Sequence, residues 1–330
     1  FVAGMKDRKL EAYKGLPADS WFALAMNIDP KVIEDMAAMG MSVWADLMKL
    51  EPADKAKLES LMKEGMALST GDGAFAISKD GEFPFRVISI GGVKDSARAR
   101  TLNNESYGML LSKGGKLLEA YMGDAMKDLP KLDWSSMKSV TDGLRPLTTK
   151  LGLDILVRQE TVSGITVDAL DLTMDYTKIP KDAAGQTAMI EKMVGGKLSF
   201  ALAYDKNHTY AAFGKDVNAD VRKASEAQGT GGPLAPVLAK ADTTPVVAAY
   251  LSLPELLKIV ARFENEVKVA LPGLDSVSGD FGLAFLMGSH GDRIIDASLM
   301  FPVTKFATLL PKTGQPAESP APAAAPAPAV

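Results

Sequence analysis

The chain has 330 residues, 47% hydrophobic and 24% charged, with a formal net charge of −4 and no cysteine. That is ample apolar material for a large core. The charge balance excludes a basic field for nucleic acid, and the missing thiols exclude disulfides, thiolate metal sites and cysteine nucleophiles.

In chain order, 5–14 is charged and helix-compatible. It is broken by Leu16-Pro17-Ala18-Asp19. Residues 20–27, with Trp21, Phe22 and Leu24, read as a buried strand. Asp29 then caps a helix and Pro30 fits its first turn. Ile33, Met36, Ala37, Trp44, Leu47 and Met48 follow near helical spacing, with a break at Gly40. Residues 52–66 form a further helix with Leu58, Leu61 and Met62 inward.

Three segments next repeat one plan of strand, tight turn, strand and helix, over 73–102, 196–225 and 279–310. In the first, Phe75 and Ile77 alternate, Asp80-Gly81 turns, Phe85, Val87 and Ile88 return, and Gly91-Gly92 leads into a helix near 94–102. In the second, Leu198, Phe200, Leu202 and Tyr204 alternate before a turn at Lys206-Asn207. In the third, Phe281, Leu283, Phe285 and Met287 alternate before a turn at 289–292. Helices are expected near 105–127 and 135–150. A hairpin then runs through 153–160, a turn at Ser163-Gly164, and 165–176. Its Asp171, Thr173 and Asp175 share one strand face, which predicts a wet face. Ser252-Leu253-Pro254-Glu255 has the pattern of a capping box for a helix over 254–263. No run of about 18 apolar residues is present; the most apolar stretch, 245–263, is interrupted by Pro254, Glu255 and Lys258.

These signals predict an α+β fold: a mostly antiparallel sheet of repeated strand-turn-strand-helix units, with helices packed on one face. Each repeat has an apolar face that its neighbours must cover. The expected organisation is a lead helix or stalk over 1–15 and a single domain over 16–310 made of two related halves, 16–150 and 151–310. A Pro/Ala-rich disordered tail follows over 311–330.

Little chemistry is legible. Only two histidines occur, His208 and His290, both expected in hairpin turns. Two imidazoles do not make a metal site, which needs three or four ligands, and neither has a partner for a catalytic triad. Gly91-Gly92 lacks both phosphate-loop patterns, and Gly229–Pro233 reads as a helix terminator. Asp168, Asp171 and Asp175 lack the spacing of a calcium loop. No cofactor, metal or catalytic residue is therefore assigned. The 17 methionines are the one compositional oddity. Met36, Met39, Trp44, Met48, Met122 and Met126 are the candidate lining of an adaptable apolar groove, against the plainer reading of ordinary core filling.

A second repeated signal carries a family resemblance. Leu16-Pro17-Ala18-Asp19-Ser20 and Ala241-Asp242-Thr243-Thr244-Pro245 each open a strand that leads through a proline into a helix. Over 16–310 this pattern resembles an uncharacterised group of exported bacterial α+β repeat proteins. The resemblance implies a periplasmic or outer-membrane-associated protein, often a membrane-anchored protein or lipoprotein. It transfers no catalytic residue, and the lipobox cysteine is absent. The first residue is Phe1 rather than Met, so an excised export signal is expected upstream, with any membrane association through that segment.

The expected function is a non-enzymatic envelope protein that binds a protein partner or scaffolds an assembly. The alternative is a carrier or binder of a lipid or other apolar ligand. An enzyme whose site leaves no motif is the third hypothesis.

The tail generates a test. Almost no large apolar side chain follows Pro316, so burial there cannot offset an ordering entropy of about 1–2 kcal/mol per residue. Deleting 314–330 is expected to leave the melting temperature unchanged in calorimetry; a fall of several degrees would show that the tail docks.

Overall fold

The structure, a computed structural model, describes residues 8–32, 34, 38, 50–80, 83–122, 132–178, 191, 194–241, 244–259, 281–290 and 294–301. Its strands are β1 (Ser20–Asn27), β2 (Ser69–Asp80), β3 (Phe83–Val93), β4 (Leu153–Val162), β5 (Ile165–Met174), β6 (Lys197–Tyr204), β7 (His208–Gly214), β8 (Pro245–Ser252), β9 (Gly282–His290) and β10 (Ile294–Met300). Its helices are α1 (Pro52–Leu68), α2 (Ser96–Met122), α3 (Met137–Lys150), α4 (Val217–Ser225) and α5 (Leu234–Leu238). All ten strands form one antiparallel sheet in the order β10-β9-β8-β1-β2-β3-β7-β6-β5-β4. The mixed α+β class is as expected. No helix among the described residues is long and apolar enough to cross a membrane.

Strand alternation sorts the side chains into two unlike faces. On one, Tyr250, Ala23, Ala76, Ile88, Ala212, Ala201 and Ala169 stand side by side across seven adjacent strands. Ten alanines of this face, from Ala23 to Ala284, are at most 5% exposed. On the other face, Phe285, Ala249, Leu24, Phe75 and Ser89 form a matching row. Its large members are only half-buried.

The alanine face is low, so backbone can lie close against it. Residues 8–17 cross it, with a 3-10 turn at Ala12–Gly15. They place Leu10 and Leu16 in the core with Val217 and Val221 of α4 and Leu234 of α5. Leu16, Val217, Val221 and Leu234 are all at most 1% exposed, and each contributes about 1.5–3 kcal/mol by leaving water. Gly15 is required where the strap meets β3 and α4 closely. A Cβ there would lie 2.6 Å from Ile90 Cδ1 and 2.7 Å from the Ala224 carbonyl oxygen.

The structure departs from expectation in four places. The described part of the lead segment is an irregular strap with one 3-10 turn, because burying Leu10 and Leu16 outweighs its helix propensity. Helices lie on both faces, not one. Arg100 of α2 forms two hydrogen bonds of 2.7 Å with Asp168 on the large-residue face, whereas α4 and α5 pack on the alanines. Both faces are apolar, so both attract cover. Residues 96–122 are one helix rather than two, and Gly91-Gly92 lies within β3, not at a helix start. Finally, Asp171 is 7% exposed, although Thr173 and Asp175 on the same face are wet as expected.

Other local signals correspond. The β4–β5 hairpin closes through Ser163 (φ 50°) and Gly164 (φ 82°), the doubly left-handed turn that matches strand twist. Asp216 caps α4 by accepting from the Ala219 amide at 3.1 Å.

The low alanine face is testable. Ala76→Leu, at a site 0% exposed, is expected to overpack the strap and lower the unfolding free energy by about 1–3 kcal/mol. Leu299→Ala, 70% exposed on the opposite face, is expected to stay within about 0.5 kcal/mol of wild type. Urea denaturation measures both.

Candidate functional site

Among the described residues, the alanine face is covered over β1, β2, β3 and β7, but over β8, β9 and β10 only the short α5 reaches it. The uncovered part is a cleft of about 1030 Å³. Its floor is low for the same reason as the rest of the face: Ser252, Gly282 and Ala284 are small. Gly232, Pro233, Pro236 and Val237 form its roof, at and before α5. Trp21, Tyr250, Phe281, Met300 and Phe301 supply apolar and aromatic surface.

Gly282 decides the shape of that floor. A Cβ there would collide with the Leu251 carbonyl oxygen and with the Tyr250 ring. Without it, the ring lies close over the neighbouring strand and presents an aromatic plane. Gly232 (φ 52°) lets the loop before α5 turn against Pro17, whose carbonyl oxygen a Cβ would meet at 2.6 Å.

Four charged residues line the cleft: Asp19, Lys79, Lys240 and Glu255. Asp19 accepts from Arg86 Nη2 at 2.6 and 2.9 Å. Glu255, at the start of the helix after β8, pairs with Lys79 at the end of β2 and accepts from Lys258 Nζ at 2.9 Å. Ser20 Oγ donates to the Pro17 carbonyl at 2.7 Å and lies 3.1 Å from Ser78 Oγ. Both carboxylates are held in ion pairs, so the cleft offers a shaped surface whose acidic groups are neutralised. Lys240 is exposed at its rim.

The sequence-predicted groove lies outside the described residues. Met36, Met39, Trp44, Met48 and Met126 lie outside the described residues, as does the side chain of Met122, whose backbone ends α2. His208 opens β7 and His290 closes β9, so neither occupies a turn. Five inter-strand steps of about 4.8 Å, roughly 24 Å in all, separate those strands. His208 Nδ1 lies 3.4 Å from Asp205 Oδ2. Asp205 also accepts from the Tyr210 hydroxyl at 2.6 Å, and burial together with that bond pushes the Tyr210 phenol up.

The tightest polar cluster is at the far end of the alanine face. Asp171 accepts from Ser199 Oγ at 2.6 Å and from Arg158 Nε at 2.8 Å, and Lys197 Nζ lies 3.3 Å away. Asn218 of α4 donates to Glu160, which also pairs with Arg158. The arrangement ties α4 to strands β4, β5 and β6. It contains no acid–base pair aimed into a cavity, and its role is to close the core.

In the sequence the cleft residues read as punctuation only. Ala18-Asp19-Ser20 and Leu253-Pro254-Glu255 were strand and helix signals, and Gly231-Gly232-Pro233 a terminator. The available clue was that both repeated openings begin a strand of the same kind, which lets those strands neighbour each other. Phe281 reads only as the first residue of an alternating strand, and Gly282 carries no signal. No family model, curated protein or solved structure matches the chain.

The Asp171 cluster fixes an acid response. Burial alone would raise its pKa, but hydrogen bonds from Arg158 and Ser199 and the charges of Arg158 and Lys197 outweigh it and hold the carboxyl below its usual range. A carboxyl lowered on folding stabilises above its unfolded value of about 3.9 and loses that contribution as pH falls. Asp171→Asn is expected to lower stability at pH 7 by about 1–3 kcal/mol. The difference from wild type should shrink between about pH 4 and pH 2 in urea titrations. A gap constant with pH would refute this account.

Proposed function

We propose that the chain is a non-enzymatic binding protein of the cell envelope, exported, and that it works by holding a ligand with apolar surface. The observation that carries this reading is the cleft of about 1030 Å³ over β8, β9 and β10. Ligand clefts of about 300–1,000 Å³, mostly apolar with a few placed polar groups, are the usual form of such sites. Its aromatic residues converge from β1, β8 and the starts and ends of β9 and β10, whereas its carboxylates are held in ion pairs. Export is supported by the absence of cysteine and by the resemblance of the two repeated openings.

The sheet order also supports the repeat reading, in refined form. Three copies of strand, intervening segment, strand and strand can be drawn: β1-β2-β3, β5-β6-β7 and β8-β9-β10. In the sheet they run as β10-β9-β8, β1-β2-β3 and β7-β6-β5, with β4 added at the end. First strands meet at β8·β1 and third strands at β3·β7. The cleft lies on the first of these junctions, which is why its residues come from distant parts of the chain.

The scaffold reading is second. It is favoured by the edge at β10, where Ile295 is 42%, Leu299 70% and Phe301 40% exposed. Exposed apolar groups on an edge strand are a common basis for partner docking.

Native mass spectrometry of the protein purified from its own cells separates the two. A retained small-molecule mass, lost on acid unfolding, is the expected result. A bare chain that carries only a stoichiometric polypeptide would replace the ligand reading with the scaffold reading.

A further inference from the structure

The cleft's charge pattern goes beyond the statement that something binds there. Of its two carboxylates, Asp19 is taken by Arg86, and Glu255 by Lys79 and Lys258. Of its two lysines, Lys79 is committed to Glu255. Lys240 is exposed and, among the described residues, its ammonium has no ion-pair partner. The cleft therefore combines aromatic and polar lining with a lysine at its rim that has no ion-pair partner among the described residues. The cleft is long rather than compact, since it runs from Trp21 and Tyr250 over Gly282 to Met300 on the edge strand.

We propose that this cleft takes a single-chain amphiphile with an anionic head group, its chain lying over Tyr250, Gly282 and Ala284 and its head at Lys240. The inference rests on the binding reading above. The chain is held by burial, because the small residues of the floor leave no side chain to fill the space themselves. The head is selected by charge, because both carboxylates near it are already neutralised and cannot repel an anion. A carboxylate or a phosphate would satisfy Lys240 equally, so the shared feature is an anion on an alkyl chain.

The test is calorimetric titration of the full chain, below their micelle concentrations, with dodecanoate, dodecyl phosphate and dodecanol. Both anions are expected to bind about tenfold more tightly than the alcohol. Across octanoate, decanoate and dodecanoate, affinity is expected to rise about fourfold per added methylene. Lys240→Glu, a surface change that leaves folding intact, is expected to weaken the anions about tenfold and leave the alcohol unchanged. Equal binding of anion and alcohol, indifferent to Lys240→Glu, would overturn the head-group assignment while the binding reading stands. No binding by any of the three would overturn the binding reading itself. A diazirine-bearing dodecanoate fixes the location without a core mutation. Crosslinks are expected on peptides that contain Tyr250 and 281–284, and labelling confined elsewhere would remove the cleft from the proposal.

Discussion

The close approach of backbone to an alanine-lined sheet face is the constraint on which the rest of this structure depends. Alanine contributes little burial of its own. It lowers the surface instead, so that a strap and two short helices can lie against it and insert Leu16, Leu234, Val217 and Val221. Interiors are close-packed and respond to even one added methylene, so this depth is specified jointly by both sides. Gly15 shows the matching demand on the strap, where a single Cβ would meet both Ile90 and α4. A sheet with large residues on this face would need longer helices set farther away.

The same constraint explains the cleft. A low face is stable only where something covers it, and among the described residues cover runs out beyond α5. The space over β8, β9 and β10 has a polar rim at Asp19, Lys79, Glu255 and Lys240, so water can enter and the opening need not collapse. Its floor is anchored from two directions. The β1–β8 ladder joins Phe22 through Met26 to Leu251 through Val247, and the Lys79–Glu255 pair ties β2 to the helix after β8. That pair is half-buried and partly screened by solvent, and ion pairs near the surface contribute about 1 kcal/mol. The ladder and the apolar contacts around Ala248, Ala284 and Leu286 therefore carry most of that attachment.

Much of the fold is legible in the residues because period-two alternation is a local signal. Residues 20–27 are a strand in both readings, and Ser163-Gly164 closes its hairpin through the expected chemistry. What alternation does not reveal is the use of each face. In β6, Phe200 and Leu202 alternate with Ala201 and Ala203, and the pattern suggests that the large residues point inward. The structure buries the alanines completely and leaves Phe200 40% exposed. Side-chain size misleads here because the covering layer brings its own large residues. Asp171 escapes for a related reason: an acidic residue reads as wet until Arg158 and Ser199, thirteen and twenty-eight residues away, are seen to hold it.

The cleft was not legible at all, and the cause is topological. Its lining comes from the start of β1, the end of β2, the approach to α5, β8 with the helix that follows, and the ends of β9 and β10. None of these stretches carries chemistry by itself. They meet because β8 pairs with β1 rather than with β7 or β4, although more than 200 residues separate Ala25 from its partner Ala248. The repeated Ala-Asp-Ser/Thr opening is the only sequence feature shared by these two strands. The two strands pair antiparallel, with Ala25 opposite Ala248. Asp19 and Ser20 then lie near the far end of β8. Asp19 and Glu255 with its lysine thus line one cleft, where aromatic floor, open volume and, among the described residues, an unpaired lysine meet.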